Sequence, residues 1–464
     1  MILNKKIFRA YDIRGEAFVD FDEDGFFLIA AAFGRYIQDK FSAKKNTNWR
    51  PRIFVSGDGR QSMPELWPAV VGGLESVGVE VVWGGTITSP MNYFYFRDQD
   101  FDATIQITAS HNPAKDNGLK FMDKNGSVCG EELQKIAKMS ECTKCLIAKE
   151  MGICDNECTK VDFFAEYVAK LYKITPPQKL LNIVVDAGNG VAGMYYPRIL
   201  REFGHNVIEL YCDLDTTFPN HQPDPERTEN LQDLIVKVRE EGADFGFAFD
   251  GDGDRIGIVN AEGEIFSADK IMYILAADFL SRNPGEAVVI DAMSSTALAE
   301  KIREIGGNPV FSKTGHSYIE EKMHEIPAKL GGEQSGHFMF GEDFYGHDDA
   351  ILAGLRFITA IQNFPSLLSE IQVKWPTLIE FSEKFTVPDE EKFEILEKIR
   401  GILVEKYPDA DTTDGIRVEF GNLEWGIIRC SNTSPKISIR IEAVNEKSLA
   451  EKKKELVGIL EEFI

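Results

Sequence analysis

Asp250-Gly251-Asp252-Gly253-Asp254-Arg255 follows the apolar run Phe245–Phe249 and alternates three carboxylates with glycines. The alternation predicts an extended loop with all three carboxylates on one side, and glycine lets the backbone turn tightly enough for them to converge. Close carboxylates repel unless a cation sits among them, and an all-oxygen donor set selects Mg2+ or Ca2+. A Ca2+ EF-hand loop needs glycine sixth and glutamate twelfth, but Arg255 and Ala261 stand there. A partial second match from Asp20 has Ala31 at the twelfth position and reads as a helix start. A solvated acidic turn is the bland alternative, but an apolar strand has no structural need to end in three carboxylates.

Other segments carry reactive groups. In Thr108-Ala109-Ser110-His111-Asn112-Pro113, a serine at a strand end beside a histidine is a possible nucleophile, although capping serines and surface histidines are common. Beside a Mg2+ site, that serine points to phosphoryl transfer. Arg429, Ser431, Asn432 and Thr433 would cradle a phosphate if their turn is more than a polar connection. Glu333, Ser335 and His337 bring an acceptor, a hydroxyl and an imidazole to a glycine-flanked loop, which suits sugar hydroxyls. Gly188-Asn189-Gly190-Val191-Ala192-Gly193, with Glu209 about 20 residues on, resembles a dinucleotide fingerprint and supports an NAD-dependent oxidoreductase as a rival class. Its mid-chain position, and the unexplained acidic and Ser-His loops, favour a tight strand-to-helix turn instead. Cys142, Cys145, Cys154 and Cys158 have spacing compatible with structural zinc.

Such side chains need elements to position them. Three stretches alternate strand-like and helix-like patterns, with first strands RIFVSGDG, NIVVDAGNG and AVVIDAMSS. Each first strand ends in an acidic residue, Asp58, Asp186 or Asp291, and each unit later reaches a polar loop, at Thr108, Phe249 or Gly331. β-branched apolar runs joined by long crossovers predict parallel or mixed sheets covered by helices. Three related α/β domains follow, each presenting one loop to a common cleft. After about residue 375, strands clustered between two helices, with a terminal helix from Glu446, predict a smaller α+β domain. The expected boundaries are 1–156, 157–262, 263–374 and 375–464.

The chain has 464 residues, enough for several cores, and 43% hydrophobic with 27% charged residues is ordinary globular composition. A formal charge of −24 excludes nucleic-acid binding or docking on an anionic membrane as the main work. It leaves room for a small anion in a locally basic cleft. No apolar run reaches the length of a membrane span, and MILNKKIFRAYDIRG has no signal-peptide core, so the cytoplasm is expected. Seven cysteines in such a chain suit reduced thiols.

In order, FRAYDIRG from Phe8, TASHNP, DNGLKF from Asp116, VVDAGNGVAG, FDGDGDR, KTGH from Lys313, GGEQSGH and RCSNTSP resemble the α-D-phosphohexomutase superfamily over essentially the whole chain. The resemblance is to its phosphomannomutase/phosphoglucomutase branch. It implies three related α/β domains with mixed sheets plus a smaller C-terminal α+β domain around a central cleft, and makes VVDAGNGVAG a structural turn. It implies interconversion of hexose 1- and 6-phosphates of mannose, glucose or both, through a phosphoserine and a hexose 1,6-bisphosphate that also serves as activator. Ser110 is then the phosphoryl carrier, beside His111. Ser110, Asp250, Asp252 and Asp254 form the Mg2+ site. Arg14, Lys120 and Arg255 surround the transferring group. Tyr11, His316, Glu333, Ser335 and His337 face the substrate, and Arg429, Ser431, Asn432 and Thr433 clamp its other phosphate. The implied partners are sugar phosphates, and the chain would be a monomer or a dimer. The loop SGDGR departs from the more usual GRD before its final arginine, and Ser434 stands where an acidic residue or threonine is common. Phosphoglucosamine mutase, a phosphoserine-forming phosphatase and a noncatalytic sugar-phosphate sensor are the alternatives.

Overall fold

The computed structural model describes residues 2–42, 49–141, 159–175, 179–431 and 434–464. Asn432, Thr433, Cys142, Cys145, Cys154 and Cys158, and with them the possible zinc site, lie outside the described residues. By compactness the chain divides into two units, Met1–Phe266 with Ser335–Thr359, and Ser267–Gln334 with Ala360–Ile464.

The expected repeat is present as one strand order used three times. Arg52–Gly57 lies between Glu80–Thr86 and Ala103–Ile107, all parallel. Asn182–Asp186 lies likewise between Asn206–Leu210 and Phe245–Phe249. Ala287–Asp291 lies between Asn308–Ser312 and Leu330–Gly332. In each case the first strand is central, the next pairs on one side and the third on the other. The three central strands are buried on both faces, so they read as continuous apolar runs.

The first unit holds two of these sheets. The first is extended by the antiparallel strands Asp116–Asp123 and Ile13–Glu16. The helix Glu23–Phe41 covers it, begun by Asp22, whose carboxylate accepts the Gly25 N–H at 2.9 Å. The partial Asp20 motif is therefore a helix start. Phe33 of that helix stacks on Phe121 with ring centroids 4.3 Å apart. The second sheet is extended by Ile256–Asn260 and Ile265–Phe266. Phe357 packs edge-on against Phe245 and Phe266.

The second unit holds the third parallel core and a four-stranded antiparallel sheet in the order Ile379–Thr386, Lys436–Ala443, Glu424–Cys430, Ile416–Gly421. In sequence the helix Lys392–Lys406 follows the strand Ile379–Thr386, and the helix Glu446–Glu461 follows Lys436–Ala443, as the smaller α+β domain requires. Trp425 joins this sheet to the turn after Asp291. It is fully buried against Ala292, its Nε1 donates to Glu442 at 2.9 Å, and the Arg417 guanidinium lies 3.7 Å above its ring. Arg417 also donates to the carbonyls of Ala292 and Ser294 at 2.7 and 2.8 Å. Trp425→Ala should therefore destabilise this unit by roughly 3–5 kcal/mol, read as a lower urea midpoint by circular dichroism. An unchanged midpoint would contradict the packing role.

Among the described residues, no single helix is long and apolar enough to cross a membrane.

Candidate active site

Asp58, Asp186 and Asp291 end the three central strands, and the structure gives all three a turn-holding task. Asp58 accepts from Thr108 Oγ1 at 2.6 Å, Asp186 from the Gly188 N–H at 2.9 Å, and Asp291 from Ser294 Oγ at 2.6 Å. Ser110, Asp250 and Glu333 stand instead on the loops after the third strand of each repeat. Loops beyond parallel strand ends are exposed backbone on a rigid frame, which is where α/β folds place reactive groups.

Ser110 follows Ala103–Ile107. It is buried, and its φ of +51° puts a non-glycine residue in the left-handed region. Its N–H donates to Thr108 Oγ1 at 2.8 Å. Its Oγ donates to Asp250 Oδ2 at 2.7 Å and lies 3.1 Å from His111 Nδ1. Burial, then Arg255 and Arg14, hold the His111 ring well below the usual imidazole range, so it is neutral near pH 7.

The acidic segment is a tight turn, not the extended loop that its alternation predicts. Asp250 Oδ1 accepts the N–H groups of Gly253, Asp254 and Arg255 at 3.0, 3.0 and 3.1 Å, and these bonds fold the backbone around one carboxylate. Gly253 has φ +77°, and a Cβ at Gly251 would stand 2.4 Å from the Ser110 carbonyl oxygen. The glycines thus serve the turn and the close approach to the serine loop.

Oxygens of Asp250, Asp252 and Asp254 lie within 4.8 Å of one another, all buried. Asp252 Oδ1 is buried with no hydrogen-bond partner among the described residues, while its Oδ2 accepts from Ser89 Oγ at 2.5 Å. An all-carboxylate set with a buried unsatisfied oxygen fits a hard divalent cation such as Mg2+. Lys120 Nζ bridges Asp252 and Asp254 at 2.7 and 2.6 Å. Burial alone would lower its pKa, but these two carboxylates hold it well above the ordinary value. Asp250 is pushed up to about 7 by burial and then by Asp254 and Asp252.

Arg255 Nε lies 3.2 Å from Asp250 and Nη1 3.1 Å from Asp224, and Nη2 is buried without a hydrogen-bond partner among the described residues. That free donor suits an anion. Arg14 is held by Asp12 at 2.6 Å and donates to the Ala109 carbonyl at 3.2 Å. Tyr11 is half-buried just before this strand. His337 Nε2 lies 3.3 Å from Asp254 and 3.7 Å from Asp348, and Ser335 Oγ is 2.9 Å from His337 Nδ1. Ser110, His111, Arg14, Lys120, Arg255, Ser335, His337 and the three aspartates therefore share the first unit.

Glu333, His316 and Arg429 belong to the second unit. Glu333 accepts the Gly315 N–H at 2.8 Å, immediately before His316, which is buried and begins a helix. Asp414 ties this turn to the strand Glu424–Cys430, accepting from Thr314 N at 3.0 Å and from Arg429 Nε at 2.6 Å. Arg429 Nη2 is buried without a hydrogen-bond partner among the described residues. Ser431 Oγ accepts from Ser434 Oγ at 2.8 Å.

The dinucleotide alternative fails on geometry. Gly188 and Asn189 form a left-handed turn, a single 3-10 turn follows at Val191–Met194, and the next helix, Tyr196–Glu202, has seven residues. Val191 N donates to the Gly251 carbonyl at 3.2 Å, so this turn backs the acidic one. Glu209, which the fingerprint would use on a ribose, pairs with Arg201 at 2.6 Å.

Sequence reasoning passed over Arg60 and the segment Phe218–Arg227. There His221 pairs with Asp186 at 3.2 Å, Gln222 donates to the His111 carbonyl, and Asp224 holds Arg255. A dense run of Pro, His, Gln and Asp in a long connection was the available signal.

Four family descriptions match the chain in order. They are phosphoglucomutase/phosphomannomutase alpha/beta/alpha domain I over residues 5–144, domain II over 162–263, domain III over 267–377 and the C-terminal domain over 383–459. A phosphomannomutase/phosphoglucomutase of Pseudomonas aeruginosa is 36% identical, with 96% of this chain and 94% of that protein covered. A phosphoglucomutase of Neisseria gonorrhoeae is 34% identical over 96% of this chain and 95% of its own length. A crystal structure of a phosphoglucomutase/phosphomannomutase family protein from Burkholderia thailandensis superposes with a TM-score of 0.86, at 32% identity, covering 99% and 98% of the two chains.

Proposed function

The chain belongs to the phosphoglucomutase/phosphomannomutase family, and from that premise we propose that it interconverts mannose and glucose 1-phosphates with their 6-phosphates through a phosphorylated Ser110. It is an intramolecular phosphotransferase of hexose phosphates. The observation that carries the serine assignment is the 2.7 Å contact between Ser110 Oγ and Asp250, on the edge of a buried carboxylate cluster.

The enzyme starts phosphorylated on Ser110. The substrate's free hydroxyl attacks phosphorus in line, the Oγ–P bond breaks, and a hexose 1,6-bisphosphate forms. The bisphosphate turns around, and its other phosphoryl group returns to Ser110. Mg2+ bound by Asp250, Asp252, Asp254 and a phosphoserine oxygen would neutralise charge on the transferring group. Lys120, Arg14 and Arg255 add fixed positive charge around it, so little reorganisation accompanies reaction. His111 Nδ1, 3.1 Å from Oγ, shares the Ser110 proton between transfers. Tyr11, His316, Glu333, Ser335 and His337 read the sugar. Arg429, whose Nη2 has no hydrogen-bond partner among the described residues, holds the phosphate that is not reacting, together with Ser431, Asn432 and Thr433. One phosphate subsite must accept both orientations, so a loop that grips only phosphate, and no ring feature, suits the task.

A phosphorus NMR time course tests this. The protein is mixed with mannose, glucose or glucosamine 1-phosphate, Mg2+ and a trace of hexose 1,6-bisphosphate. Conversion of the first two sugars to 6-phosphates without free phosphate is expected. Free phosphate would indicate a phosphatase, preferential glucosamine conversion would move the substrate assignment, and no conversion of any sugar would favour a noncatalytic sensor.

A further inference from the structure

Arg60 is completely buried, with 0% exposure, at the end of the turn after Arg52–Gly57. All five of its N–H donors face one loop and one carboxylate. Nη1 donates to the carbonyls of Pro113 and Asp116 at 2.7 and 2.8 Å. Nη2 donates to those of Ser110 and Asn112 at 2.6 and 2.9 Å. Nε donates to Asp58 Oδ2 at 3.1 Å, and the same oxygen accepts from Thr108 Oγ1, which itself takes the Ser110 N–H. The Phe218 ring lies 5.5 Å from the guanidinium carbon.

Ser110 is thus held on both sides, its N–H by Thr108 and its carbonyl by Arg60. That matters because its left-handed conformation is costly for a non-glycine residue and persists only where surroundings enforce it. Relaxation to the ordinary right-handed or extended regions would swing Oγ away from Asp250. Lysine cannot replace the fork, since its three donors diverge from a single nitrogen and cannot span four carbonyls. One of the four carbonyls in the grip belongs to the reactive residue itself, so the fork fixes the peptide that carries Oγ.

We propose that Arg60 is a positioning residue for phosphoryl transfer, holding Ser110 in the strained conformation that aims Oγ at the carboxylate cluster and so directs its phosphoryl group to sugar rather than water. This rests on Ser110 as the carrier. In either fate the Oγ–P bond breaks, a P–O bond forms to the acceptor hydroxyl, and the acceptor's proton ends on Ser110 Oγ.

The test compares wild type, Arg60→Lys, Thr108→Val and Ser110→Ala, each preloaded with labelled glucose 1,6-bisphosphate and then given glucose 1-phosphate. Arg60→Lys keeps the charge opposite Asp58. Its kcat should fall by about 10- to 100-fold while KM stays within about twofold, because the sugar contacts are elsewhere. Label released as free phosphate per turnover should rise by about tenfold or more, a partition that lost stability alone does not move. Thr108→Val should shift the partition in the same direction, and it decides the question if Arg60→Lys does not fold. An unchanged partition in a folded variant overturns the proposal, whatever happens to its melting temperature. Ser110→Ala separates the two ideas. If it retains turnover the carrier assignment fails, whereas if it is inactive and both other variants partition normally, only the role of Arg60 fails.

Discussion

Ser110→Ala abolishes measurable mutase turnover, by about 10,000-fold or more, while glucose 1-phosphate still binds. Oγ is the hydroxyl held on Asp250, and Ala places no oxygen there. The fold should survive the change. Alanine and serine tolerate the φ of +51° about equally, and Asp250 keeps three backbone N–H donors and Arg255. Binding should survive because the residues assigned to the sugar and the distal phosphate are others. Three readings check it together: mutase rate by coupled assay, glucose 1-phosphate affinity by calorimetry, and covalent labelling by phosphorus-labelled bisphosphate. The variant should bind, lack the label and not turn over. Normal turnover would overturn the carrier assignment, and labelling of the variant would move the carrier to another residue.

Asp252→Asn lowers metal affinity and rate together. Asp252 Oδ1 is buried and without a hydrogen-bond partner among the described residues, while Ser89 and Lys120 fix its other oxygen, so its carboxylate is already oriented toward a cation. An amide keeps the shape but loses the charge, and its NH2 group would face either the cation or the Lys120 ammonium. Half-saturating Mg2+ should rise by about 10- to 100-fold, and the rate at saturating Mg2+ should fall by about 100- to 1,000-fold. An initial-rate titration with Mg2+ reads both numbers. Superimposable curves for the variant and the wild type would remove Asp252 from the metal site. Chelation of the wild-type enzyme should mimic the rate loss and be reversed by added Mg2+, whereas the variant should recover only partly.

What could be read from the order of residues was what neighbours in the chain decide. Strand runs such as Asn182–Asp186 and Phe245–Phe249 are apolar on both faces, and their periodicity is a local property. The carboxylates of Asp250, Asp252 and Asp254 are two residues apart, so their clustering follows from spacing and glycine alone. The repeat was legible because each central strand ends in its own turn-holding aspartate. Spacing misjudged the shape of the acidic turn, since alternation says nothing of the three N–H groups that Asp250 Oδ1 gathers.

The rest required the tertiary structure. Ser110 and Asp250 are 140 residues apart, and Lys120 lies 132 and 134 residues from the two aspartates that it bridges. No local pattern encodes such a meeting, because it depends on how two parallel sheets bring the ends of their third strands together. Arg60 looked like the last letter of a departing motif, and its fork around the Ser110 loop became visible only when four carbonyls, scattered over residues 110 to 116, converged on one guanidinium. Sequence by itself determined which chemical groups are present and on which strand ends they stand. Tertiary structure alone decided which of them touch, because burial, charge pairing and a strained serine backbone are enforced through space by residues that are strangers along the chain.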